Sequence, residues 1–172
     1  ISLKPKGYEI GNIVHKTLEE YYKNDKRDYK ELIKIFDKNR GENLFLNLDL
    51  ELWKRKFSEF IELESSRFND GYSIMELEKP FLIEAFGIKI RGVIDRIDKK
   101  DNEYFVIDYK TSSNLKINTL KNYKESTDFQ LEFYYLALEE FYKTTNIQSF
   151  YYDLYEMKLK KEEVLEEKLE ML

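Results

Sequence analysis

Two aspartates and a lysine stand on what reads as a pair of short apolar strands. In the stretch Gly92 to Ser113, GVIDRIDKKDNEYFVIDYKTSS, Asp95 lies in the first strand, and Asp108 and Lys110 flank Tyr109 in the second. Side chains alternate faces along a strand, so Asp108 and Lys110 point one way while Ile107 and Tyr109 point the other. The polar turn Lys99-Lys100-Asp101-Asn102 is short enough to close a hairpin. Residues opposite one another in an antiparallel pair share a face, which lets Asp95 lie beside Asp108 and Lys110. Carboxylates on one face repel, and a buried unpaired charge is costly. A divalent cation removes both difficulties, since Mg²⁺ is held by one or two carboxylates together with water and phosphate oxygens. In such a set the metal activates a water and shields a phosphate, and the lysine positions that water or steadies developing charge. The competing reading is a structural salt bridge in which Lys110 neutralises one aspartate and the other is solvated.

The elements that must position these residues are legible as periodicities. Ile10, Val14, Leu18, Tyr21 and Tyr22 recur at helical spacing over residues 7–23. His15, the only histidine, falls at the edge of the apolar stripe; it is either a core histidine or a ligand whose second nitrogen is held by a partner. Glu19, one turn on, is that partner or a solvated residue. Two more helices are predicted over 28–38 and 49–68. The first buries Tyr29, Leu32, Ile33 and Phe36. The second is capped by Asn47 or Asp49 and buries Leu50, Trp53, Phe57, Phe60, Ile61 and Phe68. From Tyr72 the pattern becomes strand-like. Pro80 marks an edge or a break, and Phe81–Ala85 with Ile88–Asp98 forms a hairpin around Phe86-Gly87. After Lys110 comes the polar loop Thr111-Ser112-Ser113-Asn114, then a helix over 128–143, a strand over 147–159 and a short helix within 160–172. Gln130 and Tyr134, one turn apart, are neighbours on the 128–143 helix. Thr127-x-x-Gln130 also fits a capping box, which would leave Tyr134 as ordinary core.

The segments GVIDRID (Gly92–Asp98) and VIDYKTS (Val106–Ser112) resemble the core of the PD-(D/E)XK nuclease superfamily, and most closely its RecB-type domains. Those domains carry a Gly-x-x-x-His-x-x-Leu-Glu helix before the core and a Gln-x-x-x-Tyr helix after it. Gly11, His15, Leu18 and Glu19, then Gln130 and Tyr134, match in order. The resemblance implies an α/β fold: a central mixed β-sheet of four or five strands flanked by helices, restriction-endonuclease-like, with an N-terminal helical part. It implies metal-dependent DNA cleavage, exonucleolytic rather than endonucleolytic. Asp95, Asp108, His15 and the Tyr109 carbonyl would hold Mg²⁺ or Mn²⁺, with Lys110, Gln130 and Tyr134 completing the catalytic set. Glu78, ahead of Pro80-Phe81, resembles the superfamily's additional acid; an exposed strand-edge glutamate reads equally well, and Glu76 shares its face. Arg91, Arg96, Thr111 and Ser112 are weaker phosphate-contact candidates. The implied partners are DNA and a helicase domain or subunit, in end processing or recombinational repair. Two other readings are a noncatalytic DNA-binding or structural module keeping the fold, and a stand-alone phage or CRISPR-associated nuclease.

Composition bounds these readings. The chain of 172 residues is 42% hydrophobic and 16% aromatic, enough for one domain with a packed core. There is no cysteine, which excludes disulfides, a zinc–thiolate site, a cysteine nucleophile and the four-cysteine iron–sulfur cluster of some relatives. Absence of cysteine fits a reducing cytoplasm, and no apolar run approaches a membrane span. The net charge of −5 argues against general nucleic-acid affinity, although Lys89, Arg91, Arg96, Lys110, Lys116, Lys121 and Lys124 gather in sequence around the proposed site. The opening Ile1-Ser2 is read as that of a fragment of a larger protein.

Overall fold

The apolar spacing of residues 7–23 forms the helix it predicts, α1 (Gly7–Lys23), followed by α2 (Tyr29–Arg40) and α3 (Asn47–Asn69). The computed structural model describes residues 7–41 and 47–172. The expected cap at Asn47 or Asp49 and the burial of Leu50 concern side chains outside that description. Val14, Leu18, Tyr21 and Tyr22 of α1, Leu32, Ile35 and Phe36 of α2, and Trp53, Phe57 and Phe60 of α3 are buried. Edge-to-face aromatic pairs, Phe36 with Phe57 at 5.0 Å and Tyr22 with Phe60 at 6.2 Å, help set the packing. Tyr29 was expected in this core but is exposed, with its hydroxyl donating to the Lys54 carbonyl. Position 29 is the first residue of α2, where Asp28 caps the helix by accepting the Glu31 N–H at 2.8 Å.

The strands are β1 (Ser73–Ala85), β2 (Ile88–Lys100), β3 (Glu103–Lys110), β4 (Ile147–Asp153) and β5 (Lys158–Lys161), forming one mixed five-stranded sheet in the order β1-β2-β3-β4-β5. Helix α4 (Gln130–Tyr142) connects β3 to β4, and α5 (Leu165–Leu169) follows β5. The chain divides into two compact units. One comprises the three N-terminal helices with residues 110–113 and 153–158; the other comprises most of the sheet with α4 and α5.

β1 and β2 form the expected antiparallel hairpin, closed at Phe86 and Gly87, both at positive φ. Pro80 does not break β1. The strand lies at the sheet edge, where a missing N–H is tolerated. Phe81, Ile83, Ile94, Ile97 and Val106 form one apolar layer with Leu131, Tyr134, Ala137 and Leu138 of α4.

Gly92 is required where it stands. It pairs with Phe81, and a Cβ there would lie 2.8 Å from two atoms of the Phe81 ring. That ring is buried and packs edge-to-face on Tyr134 at 5.7 Å, so it has little room to yield. Gly92→Ala is expected to cost about 1–3 kcal/mol through overpacking. Thermal melting checks this, since a fall of about 2–4 °C accompanies each kcal/mol in a chain of this size.

The single strand expected over 147–159 is two strands. The Asp153 side chain accepts the N–H groups of Tyr155 (3.0 Å) and Glu156 (2.9 Å), and Met157 adopts φ 55°, so the chain turns between β4 and β5. A short polar side chain that captures backbone donors overrides the aromatic alternation on which the longer strand was read.

Candidate metal-binding and catalytic site

The site is built where β1, β2 and β3 lie side by side. The register runs from Leu77 opposite Arg96 to Lys79 opposite Ile94, which sets Glu78 directly across from Asp95. A carboxylate oxygen of Glu78 lies within 4.8 Å of one of Asp95. Glu78 also has φ 47°, a left-handed conformation that costs a non-glycine residue about 1–3 kcal/mol. Like charges facing across a ladder are destabilising too. Two unfavourable features therefore coincide at one acidic pair.

Asp95 is 7% exposed, and its Oδ2 accepts the Tyr109 backbone N–H at 2.9 Å. N–H and C=O of one residue project to the same side of an extended strand, so the Tyr109 carbonyl faces the side on which Asp95 lies. Asp108, the residue before, is 2% exposed. All three carboxylates act on one phenol. Burial first, then the charges of Asp108, Asp95 and Glu78, push the Tyr134 hydroxyl well above its ordinary pKa.

That hydroxyl is held at both ends. It accepts from Gln130 Nε2 at 2.7 Å and donates to the Val93 carbonyl at 2.8 Å. Gln130 therefore reaches forward to Tyr134. Helix α4 begins at Phe129 without a side-chain cap, while Asp128 accepts the Gln130 N–H at 3.0 Å. The two residues act together on β2, two positions before Asp95.

Lys110 ends β3, half-buried, and its carbonyl accepts the Leu154 N–H at 2.9 Å. Thr111 and Ser112 follow it and line a cleft of about 470 Å³ with Ile10, Trp53 and Tyr155. Gly11 brings α1 close to this loop, for a Cβ there would lie 3.2 Å from Thr111 Oγ1. His15 is half-buried on α1, at the edge of the helix's buried stripe. Glu19 pairs with Lys23 at the surface. Arg91 is exposed on β2. Glu76, which sequence alone could not separate from Glu78, pairs with Lys79 at 3.4 Å.

Arg96 departs from expectation. It was read as a phosphate contact, yet it is wholly buried. Its Nε and Nη2 donate to the two Asp98 oxygens at 2.7 and 2.8 Å, and Nη1 donates to the Tyr109 hydroxyl at 3.2 Å. It is a structural residue of the sheet. In GVIDRID the two aspartates thus have different environments, one facing Glu78 and the other paired with arginine.

The donor set fits a hard divalent cation. Carboxylate oxygens crowd one place, as suits Mg²⁺ or Mn²⁺, and their mutual repulsion is what a cation would relieve. The sequence profile of the PD-(D/E)XK nuclease superfamily matches residues 2–171. The chain belongs to this superfamily. Uncharacterized proteins of Rickettsia conorii and Rickettsia typhi are each 29% identical to it over 131 residues, covering 64% of this chain. One of Rickettsia felis is 28% identical over 131 residues. The chain spans about 15% of the length of these relatives. Among the described residues no helix is long and apolar enough to cross a membrane.

Sequence reasoning left Glu78 open between an additional acid and a strand-edge glutamate. Its position two residues before Pro80 was a visible signal, whereas its positive φ and its place opposite Asp95 were not.

Proposed function

We propose that the protein is a Mg²⁺- or Mn²⁺-dependent deoxyribonuclease of RecB type, and that residues 1–172 form one nuclease domain of a longer, cytoplasmic helicase–nuclease acting in DNA end processing or recombinational repair. The observation that carries the catalytic reading is the placing of carboxylate oxygens of Glu78 and Asp95 within 4.8 Å of each other, with Asp95 bound to the N–H of Tyr109 next to Asp108, in a chain of this superfamily. The much greater length of the relatives supports the multidomain setting. Exonuclease action is the mode expected of the RecB type.

Asp95 and Asp108 would hold the cation, with Glu78 beside Asp95, and His15 and the Tyr109 carbonyl as further ligands. When bound, the cation supplies a more acidic water and shields phosphate charge. The chain does the rest. The Tyr109 N–H fixes one Asp95 oxygen, so that the carboxylate is oriented before substrate arrives. Lys110 brings a positive charge two residues after Asp108, suited to orienting the attacking water or offsetting charge that develops on phosphorus. Tyr134, with its pKa raised, stays protonated at neutral pH and works as a donor rather than a base. Together with Gln130 it fixes the β2 backbone on which Asp95 stands. Thr111 and Ser112 offer hydroxyls to the strand being cut, and Arg91 offers a charge for its phosphates.

Metal-linked melting tests this reading without any substrate. A ligand that binds only the native state stabilises it by about 2.7 kcal/mol at a hundredfold excess over Kd. With 2–4 °C for each kcal/mol, Mn²⁺ is expected to raise the Tm by about 5–10 °C over EDTA. An unchanged Tm at millimolar Mn²⁺ would count against the site.

A further inference from the structure

Charges are also buried on the side of α4 away from Gln130 and Tyr134. Glu132, Glu162 and Lys168 are 0%, 2% and 0% exposed. Lys168 Nζ lies 3.0 Å from Glu132 Oε1 and 3.6 Å from Glu162 Oε2. It also stands 5.4 Å over the ring of Phe129, the residue at which α4 begins without a side-chain cap. One ammonium thus joins three pieces of chain: the first turn of α4, the segment after β5, and α5.

The location sets this apart from an incidental ion pair. Glu132 lies midway between Gln130 and Tyr134 in sequence, so it projects to the opposite side of the helix. Gln130 and Tyr134 act on the Val93 carbonyl from one side while Lys168 holds the same turn from the other. A lysine near a helix N-terminus is disfavoured by the helix dipole, so its carboxylate partners must keep it there. Burial, offset by Lys168, raises the pKa of both Glu132 and Glu162. Burial first, then the charges of Asp128, Glu162, Glu132 and Asp108, raise the pKa of the Tyr151 hydroxyl on β4. Two acids competing for one buried base make an expensive arrangement, and it stands against the helix that carries the Gln-x-x-x-Tyr pair.

We infer that Lys168 is a positioning residue: through Glu132 it clasps the C-terminal helix α5 to the first turn of α4 and thereby fixes Gln130 and Tyr134 over β2. Glu162 holds Lys168 but does not bind α4, so the two glutamates have unequal roles. The kinetic consequence rests on the nuclease reading above; the structural consequence does not.

The test compares Glu132→Met with Glu162→Met. Each leaves one glutamate for one lysine, so the two variants carry the same buried charge. Hydrogen exchange by mass spectrometry on the intact protein follows residues 130–134 and 165–169. Glu132→Met is expected to speed exchange over 130–134 by about tenfold, the loss of one buried ion pair. Glu162→Met is expected to leave that segment near wild type, and Glu132→Gln, which keeps an acceptor for Lys168, to restore most of the protection. In a cleavage assay Glu132→Met should lower kcat by about tenfold with KM little changed. Equal exchange over 130–134 in the two Met variants, or wild-type exchange there in Glu132→Met, would overturn the clasp whether or not the protein cuts DNA. A wild type that neither cuts DNA nor gains stability from Mn²⁺, while Glu132→Met still loosens 130–134, would overturn the nuclease reading and leave the clasp standing.

Discussion

Asp108→Ala is expected to abolish Mg²⁺-dependent DNA cleavage, by about 10³-fold or more, while the protein stays folded. Metal assistance contributes several kcal/mol to such reactions, and each 1.36 kcal/mol is a factor of ten. Asp108 is 2% exposed and shares its surroundings with Asp95 and Glu78 around Tyr134. Removing one of several like charges relieves repulsion, so in EDTA the variant should melt at or above the wild-type temperature. With Mn²⁺ the order should reverse, because only the wild type gains from the ion. Lys110→Ala should remove cleavage as fully but leave the Mn²⁺ shift in place, since Lys110 offers no ligand to a cation. The pair of variants thus separates binding of the ion from use of it. Retained cleavage in either variant removes the role assigned to that residue.

Asp98→Ala should do the opposite, destabilising the fold by about 3–5 kcal/mol. It leaves the Arg96 guanidinium without the carboxylate that accepts two of its hydrogen bonds. Both side chains are fully buried, so water cannot replace the lost partner. At 2–4 °C for each kcal/mol the Tm should fall by about 6–20 °C. Replacing both partners by apolar residues, Arg96→Met with Asp98→Leu, should recover much of that loss, because neither member of the pair is then buried without the other. Thermal and urea unfolding of the single and double variants check this. A single variant that loses less than about 1 kcal/mol would show that the pair is not what holds these strands.

Asp95 and Asp98 mark the limit of what the sequence discloses. The helix over 7–23, the hairpin through Phe86-Gly87 and the strand ending at Lys110 follow from periodicity and turn residues, and the structure has them. Asp95 and Asp98 occur in one heptad of letters, GVIDRID, and nothing local separates the acid facing Glu78 from the acid bound to arginine. Only the register of β2 against β1 and β3 decides it. Glu78 was ambiguous for the same reason, since neither its positive φ nor its cross-strand neighbour is encoded within a few residues of it. For Gln130 the spacing allowed a cap on Thr127, but the side chain donates to Tyr134, whose own acceptor, the Val93 carbonyl, lies far away in sequence. The Glu132–Lys168 pair joins residues far apart in sequence, beyond the reach of any pattern of spacing.

The most direct test of the central claim is cleavage of end-labelled linear and closed circular DNA, single- and double-stranded, with Mg²⁺, Mn²⁺ or EDTA, by the wild type and Lys110→Ala. Cutting of linear DNA by the wild type with either ion, absent in EDTA and lost in Lys110→Ala, is the predicted result; sparing of the circles would mark the activity as exonucleolytic. Cutting that persists in EDTA or in Lys110→Ala, or a folded wild type that neither cuts any substrate nor gains stability from Mn²⁺, would contradict it.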